Sequence, residues 1–154
     1  MTVATSAGPR AWIDGGARGN PGEAGFGALI ELQPGTTDWV EIAGYLGRST
    51  NNVAEYVGLL AALTWAAEQG LRNLHVHSDS LLLVRQLEGA YKVKAVHLQP
   101  LHRRAIELRR RLPGLKVTHV RREFNKRADA LANRAIDERI PLPDWLAPSL
   151  SEAL

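Results

Sequence analysis

A chain of 154 residues, 45% hydrophobic and 23% charged, is long enough for one domain with a proper core and little more. The absence of cysteine excludes disulfides and thiolate metal sites. No apolar run approaches the length of a membrane span and no basic-then-apolar leader opens the sequence, so a cytoplasmic protein with no membrane partner is expected.

Residues 10–14, 24–32 and 38–46 read as strands, punctuated by Gly19-Asn20-Pro21-Gly22 and Gln33-Pro34-Gly35. Connections that short force antiparallel pairing, which makes a meander. A long helix is expected over residues 53–69, with Asn51 or Asn52 placed to cap it and Gly70 to end it. A strand at 73–78, a short helix at 80–88, a helix at 98–112, a strand at 115–121 and a last helix at 126–138, capped by Asn125, complete the order. Strands separated by helices pair in parallel through right-handed crossovers. The predicted fold is therefore α/β, a five-stranded mixed sheet with three antiparallel and then two parallel strands, flanked by helices. No internal repeat or boundary interrupts it. Residues 10–139 read as the domain and residues 1–9 as a flexible N-terminus. Residues 140–154, with Pro141, Pro143 and Pro148, read as a loosely held tail.

Four carboxylates break the pattern where apolar residues would be expected. Asp14 closes the run Ala11-Trp12-Ile13, and Asp79 closes Leu74-His75-Val76-His77. Glu55 shares a helix face with Leu59, Ala62, Leu63 and Ala66, and Asp129 lies in line with Ala132 and Ile136. A carboxylate on a core face is costly to desolvate, so it is neutralised or holds a cation. Several converging acids, without cysteine or a histidine cage, point to hard divalent ions bound through oxygen. The first and fourth strands can be neighbours at the sheet centre, about 5 Å apart, which would let Asp14 and Asp79 share one ion. Glu55 and Asp129 could reach the same point.

Taken singly, each acid has an ordinary explanation. Asp14 before Gly-Gly suits a turn, Asp79 before Ser80 suits a helix start, and Asp129 suits a first helical turn or a pair with Arg127 or Arg134. Glu55 is the hardest to explain away. The run His75-Val76-His77-Ser78-Asp79 opens like a binuclear zinc hydrolase motif, but Ser80 stands where its last histidine belongs. Residues 15–22 are no Walker loop, since no Gly-Lys-Ser/Thr closes them. They read as a hairpin turn whose backbone, at Gly15 and Gly16, can approach a sugar-phosphate closely. Charge is also uneven. Residues 1–91 carry five Lys/Arg against nine Asp/Glu, a balance of −4, and residues 92–154 carry fourteen against seven, a balance of +7. A polyanion lying on one side would account for that, as would a solvated arginine-rich face.

Four segments occur in a telling order. They are Ile13-Asp14-Gly15-Gly16-Ala17-Arg18-Gly19-Asn20-Pro21-Gly22, Ser49-Thr50-Asn51-Asn52-Val53-Ala54-Glu55, His77-Ser78-Asp79-Ser80 and Asn125-Lys126-Arg127-Ala128-Asp129-Ala130-Leu131-Ala132. Together they resemble the motifs of type 1 ribonuclease H, and the resemblance runs from about Ala11 to Asp137. It implies a ribonuclease H-like fold and an endoribonuclease that hydrolyses the RNA strand of RNA/DNA hybrids, leaving 5′-phosphate and 3′-hydroxyl ends. It also implies that Asp14, Glu55, Asp79 and Asp129 are both catalytic residues and metal ligands, for two Mg²⁺ ions with Mn²⁺ as substitute. Asn20, Asn51 and Asn52 would touch the nucleic-acid backbone or minor groove, and Thr50 would help hold a DNA phosphate. A monomer is expected.

Two departures from the family pattern stand out. Arg121-Arg122-Glu123-Phe124 has no histidine where many relatives carry one that assists the reaction, which leaves Arg121 or Arg122 to compensate, with Arg122 read as a substrate contact. The stretch from Gln86 to His97 is too short for the extra basic helix of some relatives, so arginines clustered at 103–111 and 121–127 would bind phosphates instead. Two other readings stay open: a hybrid-binding module with impaired catalysis, and another nuclease of the same fold.

Overall fold

The computed structural model describes residues 8–151. Strands β1 (Arg10–Arg18), β2 (Gly22–Glu31) and β3 (Trp39–Ser49) form the antiparallel meander. They are followed by α1 (Asn51–Glu68), β4 (His75–Ser78), α2 (Leu81–Glu88), α3 (Gln99–Arg109), β5 (Lys116–His119), α4 (Lys126–Asp137) and α5 (Ala147–Ser151). The sheet order is β3-β2-β1-β4-β5, with β4 parallel to β1 and β5 parallel to β4. This is the predicted mixed sheet. β1 is longer than expected, because its pairing with β2 continues through Ala17↔Ala24 to Arg18↔Glu23. Gly15 and Gly16 are therefore strand residues, and the hairpin turn is confined to residues 19–21.

Two helices sandwich the meander. α1 packs on β1 and β2 and, on its far side, on α3; it is buried nearly all round, which its run of Val, Leu and Ala requires. α4 lies across the opposite face, on β2, β1 and β3. Covered on both sides, β2 is buried at nine of its ten positions and reads as a continuous small and apolar run rather than an alternating one. Close approach depends on two glycines. A Cβ on Gly27 would lie 2.8 Å from the Ala132 nitrogen and 2.9 Å from the Ala128 oxygen, so α4 rests directly on strand backbone. A Cβ on Gly15 would lie 2.2 Å from the Ala54 carbonyl carbon, so the first turns of α1 touch β1 in the same way.

Helix starts differ from expectation in an informative way. α1 is capped by Thr50, whose Oγ1 accepts from Val53 N at 3.2 Å, and not by Asn51 or Asn52. Ser80 caps α2, accepting from Leu83 N at 3.3 Å. Asn125 precedes α4, but its side chain makes no capping bond. Gly70, with φ of 68°, follows the last residues of α1 as predicted.

The loose tail expected from its prolines is not what forms. Tyr45 N donates to Ile140 O at 2.7 Å, Leu146 and Leu150 are buried, and Ser149 Oγ lies 3.3 Å from Thr64 Oγ1 of α1. Leu146 and Leu150, in a proline-rich segment, carry no periodic signal, yet they dock it on the helix. Most of the expected flexible N-terminus, residues 1–7, and the last three residues of the tail lie outside the described residues. Among those described, no helix is long and apolar enough to cross a membrane.

Candidate active site

β1 carries Asp14 at the sheet centre, and its parallel neighbour β4 pairs Ser78 with Ile13, which sets Asp79 beside Asp14 as the chain leaves the sheet. Ser78 Oγ accepts from Ser80 N at 3.1 Å and shapes that exit. Because Ser80 does the capping, the Asp79 carboxylate is not spent on the helix. Glu55 arrives from the other face, where the bare backbone of Gly15 admits α1. Carboxylate oxygens of Asp14, Glu55 and Asp79 all lie within 4.8 Å of one another. Asp14 and Glu55 are each only 8% exposed, and Asp79 is half-buried.

Asp129 completes the wall of the same cleft, a cavity of about 360 Å³ shared with Gly15, Gly16, Asn51, Asn52, Ser80 and Arg122. It is solvent-exposed, in contrast to the core-facing position expected of it, because α4 turns that part of its face to the cleft rather than to the sheet. Of the ordinary explanations for Asp129, the ion pair falls away, since Arg127 pairs with Glu41 and Arg134 with Glu138 and Asp129 joins no ion pair among the described residues, whereas its place in the first turn of α4 stands.

The crowding has electrostatic consequences. Burial is the largest influence on Asp14 and pushes its carboxyl up to about 7; a hydrogen bond with Glu55 opposes the rise, and the charges of Asp79 and Asp129 add to it. Glu55 is pushed well above the usual carboxylate range, first by burial and then by Asp14, with the Gly15 N–H offsetting part of the rise. That N–H donates to Glu55 Oε1 at 2.5 Å. With Asp14 and Glu55 both raised, cation binding here would be coupled to proton release. Carboxylate oxygens alone, with no sulfur or imidazole among them, suit a hard divalent ion, so the residues present fit one.

Of the other predicted contacts, Asn51, Asn52 and Arg122 line the cleft, and Asn20 joins it through Asn51. Asn20 Oδ1 accepts from Asn51 N at 3.1 Å, and Asn51 Oδ1 accepts from Ala17 N at 2.7 Å, so the two asparagines tie the β1–β2 turn to the start of α1. Their hydrogen bonds run through the carbonyl oxygens, which leaves NH₂ donors for a ligand. Asn52 and Arg122 are exposed on the cleft, and Thr50 is occupied in capping. His75 and His77 stay apart from the acids. His77 Nδ1 bonds Ala11 O at 3.0 Å, and His75 Nε2 lies 2.6 Å from Thr118 Oγ1, so the zinc motif suggested by their spacing does not assemble.

One positioning residue was hidden from sequence reasoning. Asn125 is buried, and its Nδ2 donates to Ile13 O at 2.8 Å, which fastens the approach to α4 directly onto β1 beside Asp14. An asparagine before a helix reads as a cap, so no local signal reveals this cross-chain tie.

Comparison with known proteins gives a consistent likeness. The family profile described as "Reverse transcriptase-like" matches residues 13–135. The chain is 43% identical over 124 residues to a "Bifunctional protein" of Mycobacterium tuberculosis, covering 80% of this chain and 34% of that protein, so it spans about a third of that relative's length. It is 41% identical over 128 residues to "Ribonuclease HI" of Halobacterium salinarum, covering 83% of this chain and 64% of that one. The solved structure "LC11-RNase H1 in complex with RNA/DNA hybrid" superposes with a TM-score of 0.78 at 41% identity, covering 84% of this chain and 97% of the other.

Proposed function

The chain belongs to the ribonuclease H family, and from that premise we propose that it is an endoribonuclease hydrolysing the RNA strand of RNA/DNA hybrids. The observation that carries the proposal is the convergence of Asp14, Glu55 and Asp79 within 4.8 Å, with Asp129 on the same cleft. Among the relatives, a ribonuclease H1 has been solved with a hybrid bound, and this chain presents the same fold around that cleft.

In this reading the four carboxylates hold two Mg²⁺ ions, with Mn²⁺ able to replace them. Such ions supply charge neutralisation at the phosphate and acidify the attacking water. The protein's own residues do the rest. Glu55, fixed by the Gly15 N–H, and Asp14, fixed within β1, present oxygens in a set geometry, so no side chain must reorganise before reaction. Gly16 leaves the cleft floor open, since a Cβ there would meet only Asn51 Oδ1, at 3.7 Å, and a sugar-phosphate can lie close to the backbone. Asn20, Asn51 and Asn52 offer donors to the hybrid's minor groove, where 2′-hydroxyls distinguish RNA from DNA. Thr50 Oγ1 accepts from Val53 N, and its own hydroxyl hydrogen remains to donate to a phosphate of the DNA strand. Arg122, exposed beside the acids, takes up phosphate charge where relatives place a histidine.

The test is substrate discrimination with analysis of product ends. Hybrid should be cut only in its RNA strand, leaving 5′-phosphate and 3′-hydroxyl termini, with double-stranded DNA left intact. Cleavage of the DNA strand, or 2′,3′-cyclic phosphate ends, would contradict the proposal.

A further inference from the structure

On the far side of the Arg122–Phe124 turn from the carboxylates lies a second cavity, of about 340 Å³. Its walls include Trp12, Leu29, Trp39, Phe124, Lys126 and Arg127, an apolar and aromatic lining with two cations in it. The tryptophans are held in place. Trp12 stacks on His77 at 5.0 Å, Trp39 lies 5.5 Å from Trp12, and the Arg127 guanidinium sits 4.4 Å from the Trp39 ring centre. Phe124, by contrast, is 67% exposed, an open aromatic ring at the edge of a basic segment. Asn125 belongs to the same wall, and its buried Oδ1 has no hydrogen-bond partner.

This cavity and the carboxylate cleft share a partition of chain. Arg122 lines the cleft and Glu123 the cavity; Asp129 lines the cleft and Ala128 the cavity. Trp12 precedes Asp14 by two residues on the same face of β1, a step of about 7 Å. A nucleic-acid strand with one phosphate at Asp14 therefore has a neighbouring nucleotide within reach of the cavity. The charge favours a polyanion, since Arg121, Arg122, Lys126 and Arg127 outnumber the two carboxylates that pair among them, Glu41 and Glu123.

We infer that this cavity takes an unpaired nucleobase of the strand being cut, so that the protein grips single-stranded nucleic acid continuous with the hybrid. The inference rests on the hybrid-hydrolysis reading for the strand it assigns. Bases stack on aromatic rings irrespective of sequence, and the neighbouring cations hold the adjoining phosphates. A base within the duplex is already paired and stacked, so the occupant is unpaired. An apolar peptide would use the rings but gain nothing from Lys126 and Arg127.

Binding is measured at fixed salt without divalent metal, so that nothing is cut. The probes are a short blunt RNA/DNA hybrid, the same hybrid with a few unpaired nucleotides at either RNA end, and one with them on the DNA strand. The wild type should bind one of the RNA-overhang forms about tenfold more tightly than the blunt form, the size of a single base–aromatic contact. Phe124→Ala, at an exposed position, should lose most of that gain while binding blunt hybrid like the wild type. A 2-aminopurine in the overhang should be quenched by the wild type and not by Phe124→Ala. Equal affinity for blunt and overhung hybrids overturns the inference, as does a gain that survives Phe124→Ala or one that comes from the DNA overhang. Cutting of the blunt hybrid in Mg²⁺, run alongside, reports on hydrolysis alone. Should the wild type fail to cut and still show the overhang gain, the hydrolysis reading falls and the binding site stands.

Discussion

The Gly15 N–H donates to Glu55 Oε1 at 2.5 Å, and this bond fastens helix α1 to the strand that carries Asp14. It exists because residue 15 has no side chain. Any Cβ there would lie 2.2 Å from the Ala54 carbonyl carbon and 2.6 Å from the Glu55 nitrogen. Gly15→Ala should therefore push α1 off β1, cost about 3 kcal/mol of stability and abolish cation binding by the Asp14, Glu55 and Asp79 cluster. Urea unfolding and calorimetric titration with Mg²⁺ check both parts. An alanine variant that keeps wild-type cation affinity would show that the close approach is not needed.

Gly27→Ala addresses Asp129 separately. The added methyl would meet Ala132 N, Ala128 O and Leu131 Cβ within 2.9 Å, which forces α4 away from β2 and carries Asp129 with it. Hybrid cleavage should fall by about a hundredfold, the usual consequence of an ångström of misplacement. Cation affinity at the other three acids should stay near the wild-type value. Single-turnover cleavage and metal titration on the same preparation separate the two effects.

The raised carboxyls make stability depend on pH in a direction opposite to that of an ordinary salt-bridged acid. Asp14 sits at about 7, and Glu55 is also raised, so the folded chain binds protons more tightly than the unfolded chain does. Stability of the metal-free protein is thus fully present below the unfolded carboxyl value near 4. It is lost as pH rises through 7, by up to about 4 kcal/mol for the Asp14 shift. Thermal melts in EDTA across pH 4 to 8 should show this decline, and excess Mg²⁺ should remove most of it by binding the ionised cluster. A metal-free stability that rises over that range would contradict the assignment.

Arg122 lies exposed on the cleft and enters no ion pair among the described residues, so its removal tests function without disturbing the fold. Arg122→Ala should leave stability within about 0.5 kcal/mol of wild type. Hybrid affinity should drop, with the salt dependence of binding falling by about one phosphate contact. Arg122→Lys should restore the salt slope, since a lysine still neutralises a phosphate.

What was legible in the sequence was whatever local order encodes. The five strands, their pairing and the four acids all follow from periodicity, turn residues and motif order, because Asp14 and Asp79 each follow an apolar strand run and Glu55 and Asp129 lie on regular helix faces. The cap of α1 is ambiguous in sequence because Thr50 and Asn51 are adjacent and both residue types cap; only side-chain geometry shows that Thr50 does so and that Asn51 bonds Ala17 instead. The glycine pair after Asp14 resembled a turn, but continuous pairing with β2 overrides the local preference. Contacts between distant segments were not legible at all. The Asn125 bond to Ile13 spans 112 positions, and the docking of Leu146 and Leu150 depends on a helix more than eighty residues earlier. The Trp12, Trp39 and His77 cluster likewise joins three strands and exists only once the sheet is assembled.

The measurement that bears most directly on the central claim is cleavage of an end-labelled RNA/DNA hybrid by wild type and Asp14→Asn, with Mg²⁺, with Mn²⁺ and in EDTA. Asp14→Asn should fold at least as stably as the metal-free wild type near neutral pH, because it replaces a buried carboxyl with a neutral group of the same shape. The wild type should cut the RNA strand with either metal and not in EDTA, and Asp14→Asn should bind hybrid yet leave the RNA intact under all three conditions. Equal cutting by the two proteins, or cutting by the wild type that persists in EDTA, would show that the carboxylate cluster is not the catalytic centre.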